Sequence, residues 1–389
     1  MTGSWHVITG EYPPQPGGVS DYTRAVAEGL ADRGITVHVW APNAAGAAES
    51  DSQAPVRVHR LPDTFGEASL AVMNGGLAAA PGPRTLLVQY VPHAFGARGM
   101  NLRFCRWVQH HARATGDDVR VMFHEPYFPF VAWPPRHNVL AFANRIMAVL
   151  LLSDLRTAYV STPAWQRRLL HYAPRALHFE WLPIPSAVPG AADPGSVAAW
   201  RARIAGESAG RVAGHFGTFG ALVSRLLEPA AAALLAQRPD VRLCLIGAGS
   251  AAFGERLTAV HPEWADRVTA TGALAAADVA ACIEACDVMV QPYADGASGR
   301  RTTLMAALVN GVPAVTTRGA ATEPEWSEGR AVVLADRNGR AIAAAASALL
   351  DDDARRRAVG AAGRALYARR FALEHTLARL MAGPAGGRA

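Results

Sequence analysis

Three groups of residues in this chain have types and spacing suited to chemistry. The first is a glycine pair in the loop Tyr12-Pro13-Pro14-Gln15-Pro16-Gly17-Gly18-Val19-Ser20-Asp21-Tyr22. It lies between a short apolar run, His6 to Thr9, and a helical pattern, Asp21 to Arg33, that aligns Tyr22, Val26 and Leu30. A strand-to-helix crossing aims free backbone N–H groups and the positive end of a helix at one place, which suits a phosphate or sugar. Glycine leaves the main chain open to such a group and tolerates positive φ. The same residues also describe an ordinary Pro/Gly turn. The second group is Asp295-Gly296-Ala297-Ser298-Gly299-Arg300-Arg301-Thr302-Thr303. Arg300 and Arg301 offer fork donors to a diphosphate, Ser298, Thr302 and Thr303 offer hydroxyls, and a helix beginning near Thr302 adds its N–H groups. Asp295 either accepts from a sugar hydroxyl or serves as the turn residue ahead of Gly296. The third group ends two strands: Val121-Met122-Phe123-His124-Glu125 and Gln89-Tyr90-Val91-Pro92-His93.

These residues need elements to hold them, and the chain supplies repeated βα units. Strands are predicted at 36–40, 85–90, 119–124 and 158–161, and again at 212–216, 241–246, 268–271, 288–292 and 314–317, with helical stretches between. The Pro-, Gly- and Ala-rich run Leu182 to Gly195 predicts an interdomain linker. The expected fold class is α/β: two Rossmann-like βαβ domains with parallel sheets, facing each other across a cleft at the carboxyl ends of the strands. The boundaries expected are residues 1–185, a linker at 186–200, a second domain at 201–365, and a C-terminal helix and tail at 366–389 that ends free or crosses back to the first domain.

Half of the 389 residues are hydrophobic and 18% are charged, which excludes a disordered chain. All 38 basic residues are arginine, against 32 acids. The excess divides evenly, 16 Arg against 13 acids in residues 1–190 and 22 against 19 in 191–389, which argues against a nucleic-acid stripe. Arg355-Arg356-Arg357 follows Asp351-Asp352-Asp353 and reads as a solvated helix surface. The longest apolar run, Val139 to Leu152, is cut by Asn144 and Arg145 and is too short to span a bilayer. Residues 1–10 lack a basic region followed by a long apolar stretch, so no signal peptide is expected and the protein is predicted to be cytoplasmic. Asn101 to Arg113, with Arg103, Arg106, His110, His111 and Arg113, reads either as a surface helix or as a basic face meeting anionic lipid, which would make the protein peripheral at the inner membrane face. Cys105, Cys244, Cys282 and Cys286 show no metal or disulfide framework and are expected to be buried thiols.

The stretch from His6 to Pro42 resembles the opening of family 4 glycosyltransferases of the GT-B fold. Later segments extend the likeness: His215-Phe216-Gly217-Thr218-Phe219-Gly220 mirrors the first loop, and Ile246-Gly247-Ala248-Gly249 is similar to a strand-ending turn of the family. Thr271-Gly272-Ala273-Leu274 resembles its loop near the nucleotide base. Asn310-Gly311-Val312-Pro313-Ala314-Val315 resembles its segment beside the donor. The sequence also departs from the pattern. Family members carry two glutamates seven residues apart, and aligning Gly311 and Pro313 puts Ser298 and Ala306 in their places. The usual arginine and lysine after the second glycine loop are absent too, since position 218 is Thr and the chain has no lysine.

The resemblance implies a hexosyltransferase-type enzyme that moves a sugar from a nucleotide diphosphate sugar to an acceptor hydroxyl with retention. The first domain would be the acceptor side and the second the donor side. Donor contacts would come from Gly17, Gly18, Gly217, Arg225, Asp295, Ser298, Arg300, Thr302 and Thr303. Arg301 would stabilise the leaving diphosphate, and His124 would orient the reacting sugar or share its charge. Asp21, Tyr22, Tyr90, His93 and Glu125 would form the acceptor wall. No metal or other cofactor is expected, since arginines do the work of a cation. The acceptor would be a polysaccharide, a lipid or a small natural product. The missing glutamates leave two alternatives: a pseudo-glycosyltransferase that couples a cyclitol, and a non-catalytic sugar- or nucleotide-binding partner subunit.

Overall fold

The computed structural model describes residues 3–44, 54–206 and 210–383; residues 1 and 2 of the expected start and 384–389 of the expected tail lie outside them. The chain forms two compact units, with the first closed by a helix from the far end of the sequence.

The first unit runs β1 (Ser4–Thr9), α1 (Gly18–Ala31), β2 (Val37–Pro42), β3 (Val56–Leu61), α2 (Glu67–Ala79), β4 (Arg84–Tyr90), α3 (Leu102–Ala114), β5 (Asp118–Phe123), α4 (Arg136–Leu152), β6 (Thr157–Val160), α5 (Pro163–Leu169) and β7 (His178–Trp181). Its strands pair in the order β3-β2-β1-β4-β5-β6-β7, all parallel. Val7, Ile8, Leu87, Val88, Val121 and Met122 are buried, as strands covered on both faces must be.

The second unit runs α6 (Pro194–Ala205), β8 (Arg211–Phe216), α7 (Ala221–Gln237), β9 (Val241–Ile246), α8 (Ser250–Val260), β10 (Val268–Ala270), α9 (Ala276–Glu284), β11 (Val288–Gln291), α10 (Thr302–Val309), β12 (Ala314–Thr317), α11 (Pro324–Glu328), β13 (Val333–Ala335), α12 (Gly339–Asp351) and α13 (Asp353–Arg370). Its parallel order is β10-β9-β8-β11-β12-β13. The α/β fold class therefore stands. The last helix, α14 (Leu373–Ala382), belongs to the first unit. Leu377 and Leu380 join the core under Tyr22, Val26 and Leu30 of α1. A Cβ on Gly29 would stand 2.5 Å from Leu377 Cδ1, so glycine is what lets α14 approach α1 this closely.

Four expectations need correction. α1 begins at Gly18 rather than Asp21, so the glycine pair is part of the helix start. β3, β7 and β13 were not expected: β3 carries Arg57 and Arg60 on a half-buried edge, and β13 is three residues long. The expected linker is largely structured, since Asp193 caps α6 through Ser196 N and Leu182 to Pro185 are buried. The basic face on α3 is partly neutralised: Arg103 pairs with Glu67 at 2.6 Å, Arg113 with Asp154 at 2.6 Å and His111 with Asp117 at 2.8 Å. Among the described residues no helix is long and apolar enough to cross a membrane. The four cysteines are free and buried.

Neighbouring strands at the edge of the first sheet stack their histidines. His6 lies 4.7 Å from His38, and His38 5.1 Å from His59, ring to ring. Trp40 Nε1 donates to His6 Nδ1 at 3.1 Å, which requires a neutral ring. Burial, then His38, Arg84 and His59, drive His6 down to about 3; burial, then His59 and Arg57, drive His38 down to about 4. The unfolded chain binds protons on these rings below its ordinary value of 6.5, and the folded chain does not. Stability is therefore complete above pH 6.5 and falls as the pH drops toward the folded values. Urea unfolding is expected to lose stability from pH 6.5 to 5, with a slope rising toward about 1.4 kcal/mol per pH unit for the fully buried His6 ring, and His6→Gln is expected to remove that ring's share of the dependence.

Candidate active site

In each sheet the strand order reverses once, between β1 and β4 and between β8 and β11. Loops leaving adjacent strands at a reversal turn to opposite faces and open a crevice at the carboxyl ends. The candidate residues of each unit gather at its own reversal.

In the first unit, the loop after β1 delivers Gly17 and Gly18 to the start of α1, where no side chain caps the helix. A Cβ on Gly18 would meet nothing within 4 Å, while one on Gly17 would stand 2.7 Å from Glu11 Oε2. Gly17 is extended, with φ 169°, and neither glycine is left-handed. The expected tolerance of positive φ is thus not what selects them. Gly17 makes room for Glu11, and Gly18 leaves open space at the helix end. Glu11 was missed in the sequence because a lone carboxylate after a strand carries no pattern. Its Oε1 accepts from His93 Nε2 at 3.2 Å. That hydrogen bond raises the His93 pKa against the effect of burial, aided by the charges of Glu11 and Glu125.

His124 follows β5 and is buried, with Nε2 2.7 Å from Gln89 Oε1 and Tyr22 edge-on at 5.0 Å. With Nε2 donating to Gln89, Nδ1 is the basic nitrogen. Burial lowers the ring to about 3, which favours the neutral imidazole. Two acceptor-wall residues also need correction. Tyr22 is buried in the α1 core, and Tyr90 is fully buried against Phe95 and Phe123. Asp21 lies on the first turn of α1, 3.8 Å from Arg24, with its pKa raised by burial against the pull of Arg24.

In the second unit, the loop between β11 and α10 brings Asp295, Arg300 and Arg301 together. Arg300 Nη2 donates to Asp295 Oδ2 at 2.7 Å, and Arg301 Nη2 donates to Asp295 Oδ1. Burial works to raise the Asp295 carboxyl, but Arg301 and then Arg300 hold it below its ordinary range. Asp295 is therefore an ion-pair bridge rather than a plain turn residue. The Arg301 guanidinium also stacks over Tyr293 at 4.6 Å, and its Nε has no protein partner. Ser298 is fully buried with an unpartnered Oγ. Thr303 is occupied, bonding Tyr293 Oη at 2.8 Å. Thr302 opens α10, whose start no side chain caps. Gly296, with φ 96°, lies where a Cβ would stand 2.5 Å from Gly319 N, so the loop closes on backbone. Gly217 N–H donates to Ile246 O at 3.0 Å, and Arg225 is exposed on α7.

Several residues at these reversals were not singled out. Gln89 ends the β4 run and Gln291 ends β11; both are fully buried, and Gln89 Nε2 and both polar atoms of Gln291 lack protein partners. His215 donates Nδ1–H to Val290 O at 2.7 Å and leaves Nε2 bare beside Gly217. Glu323, after β12, accepts from Gly299 N at 2.9 Å and Trp326 Nε1 at 2.6 Å, fixing the loop that carries Ser298. The signal that would have found the glutamines is a polar residue closing an otherwise apolar strand. Cavities of about 810 Å³ beside Arg318, Trp326 and Arg355, and of about 650 Å³ at the amino ends of β1 to β3, contain none of the candidate residues.

The two histidines of the first unit should titrate in opposite directions. His93 is expected above 6.5 and His124 well below it in a side-chain NMR titration, and Glu11→Gln is expected to bring His93 back down while leaving His124 unmoved.

Comparison with known proteins agrees with this geometry. The family described as "Glycosyl transferases group 1" matches residues 213–352. No curated protein matches the chain by sequence. Among solved structures, it is similar to sucrose-phosphate synthase from Thermosynechococcus elongatus, with TM-score 0.74 and 18% identity over 97% of this chain and 98% of that one. Anabaena HepE in complex with UDP and glucose aligns with TM-score 0.68 and 16% identity over 98% of both chains. WaaG, a glycosyltransferase involved in lipopolysaccharide biosynthesis, aligns with TM-score 0.64 and 16% identity over 98% of this chain and 100% of that one. The two parallel sheets with their flanking helices are therefore those of the GT-B glycosyltransferase fold, and the second unit carries the group 1 glycosyl transferase domain.

Proposed function

We propose that this protein transfers a hexosyl group from a nucleotide diphosphate sugar to an acceptor hydroxyl, with retention at the anomeric carbon and without a metal. The observation that carries the reading is the Arg300–Asp295–Arg301 bridge ahead of the uncapped start of α10, inside the segment that matches the glycosyl transferase family. Both guanidinium groups carry positive charge beside the carboxylate they share, Asp295. A diphosphate departing with two or more negative charges draws on that charge and on the N–H groups of α10. UDP and glucose in the HepE structure support a nucleotide sugar as the donor.

In this proposal the open helix start at Gly18 takes an anionic or hydroxyl group of a substrate, and the neutral His124 accepts from a sugar hydroxyl through Nδ1 and orients the ring. The Glu11–His93 pair belongs to the acceptor side. Ser298 stands where the family has a carboxylate, and its buried hydroxyl takes up a hydrogen bond to the donor. The metal-free reading rests on Arg300 and Arg301, which supply the positive charge a cation would bring. Four free buried thiols support a cytoplasmic protein.

Arg301→Ala is expected to weaken nucleoside diphosphate binding by about 1.5 to 3 kcal/mol, the range for a charged hydrogen bond, and to leave nucleoside binding unchanged. Calorimetric titration of both ligands tests this, and equal losses for both would make the arginine structural. Gly18→Val is expected to abolish turnover without lowering the thermal midpoint, because its side chain enters open space. Nucleotide-sugar hydrolysis is expected to survive a strong chelator; complete loss restored by manganese or magnesium would overturn the metal-free site. Tight nucleotide binding with no turnover against any acceptor would favour the non-catalytic partner subunit.

A further inference from the structure

Helix α4 breaks the rule that a surface helix is polar on its outer face. Its inner side buries Ala141, Asn144, Met147, Ala148, Leu151 and Leu152. Its exposed positions beyond the first turn are Val139, Phe142, Ile146 and Val149, spaced three, four and three apart along one stripe. Val139 is 68% exposed and Phe142 60%, and the loop just before the helix adds Phe130 and Trp133, the latter 82% exposed. Arg145, the one charge within this stretch, is withdrawn: it donates to Ala141 O at 2.6 Å and Phe128 O at 3.1 Å and stacks over Tyr127 and Phe130. Isolated exposed apolar residues are ordinary, but six together with no charge among them are not.

The charge around this stripe identifies what covers it. Residues 126–153 contain two arginines and no acid, and residues 91–116, which include α3, contain four arginines and no acid. Residues 91–179 as a whole hold 11 arginines against four acids, an excess of seven, which is larger than that of the entire chain. Dividing the chain into halves concealed this concentration. α3 lies beside α4, with Gln109 reaching Ser153 and Arg113 reaching Asp154. Arg106 shares that α3 face by helical spacing, and Arg136 opens α4; both are exposed, and neither forms an ion pair among the described residues.

We propose that the α4 face, with Phe130 and Trp133, docks on the surface of an anionic lipid bilayer. An apolar centre with an aromatic edge and arginine flanks fits the headgroup boundary, where apolar side chains enter the acyl region and cations meet lipid phosphates. A nucleic-acid face would place its cations at the centre instead. α4 is too short to span, so the protein lies on the membrane. The apolar centre of the lipid contact is therefore on α4, with Arg106 of α3 as one of its flanks. This docking is independent of the transfer reading, although the docking loop starts directly after His124 and Glu125.

The test is co-sedimentation of the full chain with phosphatidylglycerol/phosphatidylcholine vesicles and with phosphatidylcholine vesicles alone. Wild type is expected to partition at least tenfold more strongly to the anionic vesicles, and less so at high salt. Phe142→Gln with Ile146→Gln is expected to reduce that binding at least tenfold with an unchanged thermal midpoint. Arg106→Gln with Arg136→Gln is expected to remove the preference for anionic lipid. Absence of vesicle binding by wild type, or binding indifferent to the α4 substitutions, would overturn the proposal. So would a wild-type dimer in light scattering that Phe142→Gln with Ile146→Gln converts to monomer without any change in vesicle binding.

Discussion

Parallel strand pairing on both sides of an order reversal is the constraint on which the rest of this structure depends. A parallel strand covered by helices on both faces has no wet side, so its middle must be apolar. At a reversal the departing loops separate and leave the strand ends uncovered. Gln89, His215 and Gln291 occupy such ends, and each is buried yet keeps a ring nitrogen or amide atom without a protein partner. Buried polar atoms without partners are costly. Such atoms at the ends of β4, β8 and β11, the strands beside the two reversals, mark surfaces that something else can complete.

The electrostatics of the second unit follow from one substitution of chemistry. A lone glutamate at position 298 would be buried beside Arg301 and would compete with Asp295 for it. Serine there leaves both guanidinium groups on Asp295. The bridge holds both arginines in fixed rotamers, which lowers the entropy lost when they engage an anion. Glu323 receives Gly299 N–H and the Trp326 indole and so fixes the loop that carries Ser298.

Much of the fold was legible because its signals are local. Apolar β-branched runs such as 241–246 and 314–317 are strands from end to end. β3 was not legible because Arg57, His59 and Arg60 interrupt the apolar signal on a half-buried edge, and α6 was hidden by the Pro and Gly at its own start. At the site, residue types were readable but partnerships were not. Arg300 and Arg301 were recognisable as anion ligands, yet their common hold on Asp295 depends on a loop closing over Gly296. The pairing of Glu11 with His93 spans 82 residues and leaves no local trace. Tyr22 and Tyr90 show the reverse error: an aromatic next to a site motif is usually core, and only burial distinguishes the two.

The placement of α14 bears on how the protein is made. Thr376 Oγ1 donates to Pro183 O, Arg379 reaches Trp181 O, and Leu377 fills the notch over Gly29, so the first unit takes its closing helix from a segment about 190 residues after its last strand. The second unit is continuous and is complete once residue 372 has left the ribosome. During synthesis the first unit must therefore wait with the α1 face uncovered while the whole of the second unit emerges. The N-terminal part starts first and finishes last, and truncation near residue 370 would spare the second core while exposing Val26 and Leu30 of the first.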